Sequence, residues 1–133
     1  MNYPESVQSI CNYALTALKA DKLKFRPMKK TARVSYKRGF VIGRTNLKTG
    51  LITIDVFTPT KREPKKISSI LRTLCHEIAH YQKRPFQQFF KGHLINRQHY
   101  PQFYKQVEKN IKILKNDKIL KRFFILTFLF LFF

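Results

Sequence analysis

The chain predicts an α+β domain: an N-terminal helix, a small antiparallel sheet of three to four strands, a second helix, a loop and a C-terminal helix. Three observations predict it. Apolar residues recur at helical spacing in three separate segments. The stretch between the first two segments instead alternates with a period of two. Each helical segment opens at a proline, Pro4, Pro64 or Pro101, a residue suited to the first turn because its missing N–H would be unpaired there anyway.

Pro4-Glu5 starts a helix over about residues 4–19, with an acid near the positive end of the helix dipole and an apolar stripe of Val7, Ile10, Cys11, Ala14, Leu15 and Leu18. Strands are expected at Thr31–Lys37, about Phe40–Thr45 and Leu51–Phe57, all rich in β-branched and aromatic residues. In the last, Ile52, Ile54 and Val56 face one way and Thr53 and Asp55 the other. Asn46 to Gly50 reads as the turn before it. Ile67, Ile70, Leu71, Leu74, Cys75 and Ile78 make the stripe of the second helix, which Pro85 ends. Residues 84–100 hold no period and read as a loop with an aromatic patch, Phe86, Phe89 and Phe90. The third helix carries Phe103, Val107, Ile111 and Leu114 on one face.

With 133 residues the chain holds one domain, placed at residues 1–117, followed by a basic then hydrophobic tail at 118–133. A 44% hydrophobic content excludes a disordered basic tail. Two cysteines far apart, Cys11 and Cys75, exclude a disulfide framework and a Cys-rich zinc ribbon. They fit a reducing compartment, and a cytoplasmic protein is the expectation. The first ten residues carry acidic Glu5 and no charged-then-apolar run, so no signal peptide is expected there. The run Phe123–Phe133 is apolar but for Thr127, and its eleven residues fall short of the roughly 20 that span a bilayer. It fits a segment packed back on the domain, a peripheral membrane contact beside Lys118, Lys121 and Arg122, or a T-rich reading frame entered by frameshift.

The formal charge of +20 comes from 27 Lys and Arg against 7 Asp and Glu. It fits DNA contact through a basic surface, an anionic membrane surface, or cations spread over solvated faces. The bases are scattered rather than blocked, which favours the last.

All four histidines lie between residues 76 and 99. Among them stands His76-Glu77-Ile78-Ala79-His80, the H-E-x-x-H pattern, which four histidines and four glutamates in 133 residues rarely produce by chance. Residues four apart share a helix face, so His76 and His80 can offer two imidazoles to one metal while Glu77 stays free to accept a proton from water. Zinc lowers the pKa of a bound water toward ~7. Cys75 continues the apolar stripe and reads as core. A catalytic zinc takes three protein ligands and keeps one position open. His99, at the mouth of the third helix, is the favoured third ligand, with His93 in reserve. Tyr81, Tyr100, Tyr104 and Arg97 are candidates to stabilise a transition state.

The H-E-x-x-H helix followed by a loop and His99-Tyr100-Pro101-Gln102-Phe103-Tyr104 resembles the small zinc metallopeptidases of the SprT-like and YgjP-like groups. In those groups a later histidine heading an H-[GS]-x-x-[FW] segment completes the site. The order of Gly43-Arg44, a turn, the strand Leu51–Phe57, Pro64 and the helix also matches that minimal zincin-like core, over roughly residues 35–108. The resemblance implies zinc held by His76, His80 and His99, Glu77 as general base, and a peptide or protein substrate pairing along Leu51–Phe57. Three departures stand out. The interval from His80 to His99 is long for the YgjP-like group, Tyr100 replaces the usual Gly or Ser, and no Cys-rich ribbon follows. The choice between the groups stays open. Some SprT-like proteins act on proteins bound to DNA, which the charge would suit. A monomer is expected. The competing function is a basic nucleic-acid-binding protein whose His site is structural, closed by His76, His80, His93 and His99, or inactive. A structural site would give Glu77 no task.

Overall fold

Leu51–Ile54 is the central strand of the sheet, and its inner residues Ile52 and Ile54 are fully buried. It is the third strand in chain order, β3, after β1 (Lys24–Pro27) and β2 (Gly43–Asn46). The computed structural model describes residues 2–28 and 42–125. Within them the order continues with helix α2 (Ile67–Gln82), the hairpin strands β4 (Phe86–Phe90) and β5 (His93–Arg97), and helix α3 (Pro101–Lys115), all following helix α1 (Tyr3–Ala17). The α+β class expected from the sequence is the class observed.

The sheet runs β1-β3-β2 and is mixed rather than antiparallel. β1 pairs parallel with β3, Phe25 opposite Ile52, and β2 pairs antiparallel with it, Thr45 opposite Ile52. β1 escapes sequence reading because Lys-Phe-Arg-Pro has no β-branched residue and its four residues are too few for their alternation to stand out. Among the described strands it sits at an edge, where proline is tolerated. The expected strand at 31–37 lies outside the described residues. Leu51–Phe57 ends as a regular strand at Ile54, but Val56 stays buried and Phe57 forms a bridge with Pro64. Pro64 therefore belongs to that bridge, and α2 starts three residues later, at Ile67.

Thr53 and Asp55 point away from Ile52 and Ile54 yet are also buried. Asp55 lies against the Arg62 guanidinium, with nitrogen–oxygen distances of 2.8 and 3.0 Å, and its backbone carbonyl accepts from Lys65 Nζ. A buried carboxylate needs such a partner.

The core is one cluster. Val7, Cys11, Ala14 and Leu15 of α1 meet the inner face of the sheet and Ile70, Leu71, Leu74, Cys75 and Ile78 of α2. The Asn2–Glu5 capping box fixes the start of α1. Leu114 and Leu120 enter the same cluster, with Phe123 and Phe124 packed against it. The packed unit thus runs past the expected boundary at 117, with residues 121–125 helical. No helix among the described residues is long and apolar enough to cross a membrane.

Residues 84–100, expected to be a loop, contain the β4–β5 hairpin. Its tip is Lys91-Gly92, both at positive φ (49° and 79°), the backbone a two-residue primed turn requires.

Candidate metal centre

α2 places its apolar stripe on the sheet and turns His76 and His80 to one side, one turn apart. α3 packs across that side and brings His99, two residues before its first turn, over the two rings. His76, His80 and His99 each offer a ring nitrogen, and these nitrogens all lie within 4.8 Å of one another. His80 Nε2 and His99 Nε2 are 3.2 Å apart. Two ligands at about 2.0–2.1 Å from a tetrahedral zinc stand roughly 3.3–3.4 Å apart, so this pair has the separation of two donors to one ion. Burial first, and then the neighbouring rings, push the His80 pKa down to about 4 and lower that of His76. Both are neutral at pH 7, with lone pairs available. Three imidazoles in one reach form a donor set able to hold a transition metal.

The floor under all three rings is Phe103, itself fully buried. Its ring lies 5.0 Å from His76, 4.5 Å from His80 and 5.1 Å from His99, centroid to centroid. Asn110, one of the few buried polar residues, ties α3 to α2. Its Nδ2 donates to the Cys75 carbonyl at 3.2 Å and to Gln82 Oε1 at 2.8 Å, and its Oδ1 accepts from Gln106.

Glu77 is 6% exposed and faces β2. The Thr45 hydroxyl lies 2.6 Å from Glu77 Oε2 and 3.0 Å from the Glu77 carbonyl oxygen. Burial raises the carboxyl pKa, and the Thr45 hydrogen bond acts in the opposite sense more weakly. Gly43 makes this closeness workable. A Cβ there would stand 3.0 Å from Thr73 Cγ2 and 3.3 Å from Glu77 Oε1, so a side chain would press on the carboxylate.

A cleft of about 380 Å³ collects these groups: His76, Glu77, His80 and His99 with Gly43 and Thr45 on one wall, Pro85 and Gln98 on the other. The strand beside the cleft is β2. β3 is paired on both sides and cannot add a further strand, so Leu51–Phe57 does not offer the free edge expected of it. Among the described residues β2 has no partner on its far side.

The other sequence candidates separate. His93 pairs with Phe90 beside the hairpin tip and is not in the cluster, so a closed four-histidine site does not form among the described residues. Tyr100 donates to the Arg84 carbonyl, and Arg97 donates to Gln88 Oε1. Tyr81 packs on the core. Tyr104 is exposed, its ring 6.1 Å from that of His99. Cys75 is buried, its thiol pushed up to about 12 by that burial. Sequence reading missed Thr45, Gly43, Phe103 as a floor, and Asn110. The signal for the first two was Gly43-Arg44-Thr45 just before the turn; for Asn110, an amide on the apolar side of α3.

A scan against protein-family models and a search of curated proteins give no match. Among solved structures, the chain is similar to one described as the crystal structure of the metallopeptidase zymogen of Pyrococcus abyssi abylysin. The identity is 21% over 88% of this chain and 87% of that one, with a TM-score of 0.42, a likeness too loose to carry a function.

Proposed function

We propose that the chain is a zinc-dependent peptidase, with His76, His80 and His99 as metal ligands and Glu77 as general base. One observation carries this reading: three convergent imidazoles share one cleft with a buried carboxylate from the helix that carries two of them. A structural metal site has no use for that acid. Imidazole donors suit several transition metals. Zinc is the assignment because the H-E-x-x-H pattern pairs its two histidines with a hydrolytic base.

When bound, the ion would supply Lewis-acid polarisation of the substrate carbonyl and acidify water. The remaining work belongs to the chain. An extended substrate pairs along the free edge of β2, which Gly43 allows to lie close to α2. Glu77 takes a proton from the attacking water as the new C–O bond forms, then gives it to the amine as the C–N bond breaks. Burial favours the protonated carboxyl that the second half needs. Thr45 holds the carboxylate by one oxygen, so the other can face the cleft.

The test is metal content and casein cleavage for wild type, His76→Ala and Glu77→Gln. One zinc per chain is expected in wild type and Glu77→Gln, and its loss in His76→Ala. Cleavage should fall by about 10²–10⁴ in Glu77→Gln. Absence of bound metal after zinc is added back, or full activity in Glu77→Gln, would overturn the reading.

A further inference from the structure

Phe25, Ile52 and Ile54 take the inner face of the sheet. Alternation therefore sends Arg26, Thr53 and Arg44 to the outer face. The register sets them in one row across three strands, Arg26 opposite Thr53 and Thr53 opposite Arg44. Both arginines are exposed, with Thr53 buried between them. A cavity of about 640 Å³ lies over this row. Lys48, from the β2–β3 turn, also lines it, and it shares Arg44, Thr45 and Leu47 with the metal-side cleft.

The lining has three cations and no acid, although the chain has seven acids. Among the described residues the ion pair is Arg62 with Asp55; Arg26, Arg44 and Lys48 make none. Cations of one sign in a concave site reinforce one another's field. The face is also continuous with the edge of β2. A strand added to that edge places alternate side chains on the outer face, about 4.5–5.5 Å between Cβ atoms from Arg44, within reach of a guanidinium–carboxylate pair.

We propose that the outer face of the sheet at Arg26, Arg44 and Lys48 is a specificity subsite for acidic peptide segments, read as they pair along β2. Its role in cleavage rests on the peptidase reading; the binding does not. A peptide carboxylate fits better than nucleic acid because, among the described residues, no aromatic lines the groove, and base stacking is what single strands need.

The test is fluorescence anisotropy of labelled extended peptides on the full chain at physiological ionic strength. One peptide carries Asp and Glu at alternate positions and its partner the isosteric Asn and Gln. The acidic peptide is expected to bind about tenfold more tightly. Arg26→Gln/Arg44→Gln should abolish the difference. Arg44→Gln alone, at an exposed position, should remove about threefold of it. Lys112→Gln/Lys115→Gln on α3, an equal loss of charge elsewhere, should leave it intact.

Equal binding of both peptides would overturn the subsite. So would a preference lost equally in the α3 variant, which would make it a property of total charge. A single-stranded oligonucleotide binding more tightly through the same two arginines would assign the face to phosphates and also overturn it. Cleavage of the neutral peptide without acid preference would remove the subsite and leave the peptidase reading. Acid-selective binding with no cleavage would do the reverse.

Discussion

The two walls of the cleft are held by different means. On one, His76, Glu77 and His80 come from consecutive turns of a single helix whose opposite side is core, and β2 closes on it at Gly43 and Thr45. On the other, His99 follows a hairpin whose strands pack only on each other among the described elements. The stem of that hairpin is tied by the Tyr100–Arg84 hydrogen bond and by the Phe86–Tyr100 ring contact, at 5.0 Å between centroids. Two donors are thus set by local helix geometry. The third is set by how α3 seats, which depends on Phe103 and Asn110. The histidine cluster is a tertiary feature even though its motif is local.

The largest test of that difference is Phe103→Ala. Removing a fully buried ring that touches all three imidazoles should destabilise the fold by about 3–5 kcal/mol. It should also weaken zinc in a chelator competition, beyond what the remaining folded fraction explains. Lost stability with unchanged metal affinity would mean that α2 alone sets the rings, and the distinction between the walls would go. Asn110→Leu should come next. It leaves Gln82 and Gln106 without their partner and frees the Cys75 carbonyl from its contact with α3, a loss of about 1–3 kcal/mol. Urea unfolding gives the size. Faster amide exchange in α3 than in α2 would place the loss at their junction.

Legibility in the sequence follows the same division. The helices were readable because each has one face on the core, which imposes a period of 3.6. His76, Glu77 and His80 were readable because their geometry is internal to one helix. β1 was not, since Lys24–Pro27 becomes a strand only by pairing with β3. Nor was the hairpin. Its residues are exposed but for the half-buried Ile95 and Arg97, so too little burial selects a period, and Phe86, Phe89 and Phe90 look like a patch instead of a strand. The one local sign was Lys91-Gly92. Thr45 and Asn110 bind partners 32 and 35 residues away, a distance over which a spacing rule carries no information.

The smallest expected effect comes from the hairpin itself. Phe89 and Leu94 oppose each other across the two strands and are 73% and 58% exposed. Such a pair contributes about 0.2–1 kcal/mol to the hairpin, but little of it reaches the core, because no other described element packs on these strands. Phe89→Ser/Leu94→Ser should leave the global unfolding free energy within about 0.5 kcal/mol of wild type while amide exchange across 86–97 quickens. The hairpin would then open as a unit of its own, below the stability of the α2 wall. A global loss above about 2 kcal/mol would instead make the hairpin part of the cooperative core, and His99 would be as firmly placed as His76 and His80.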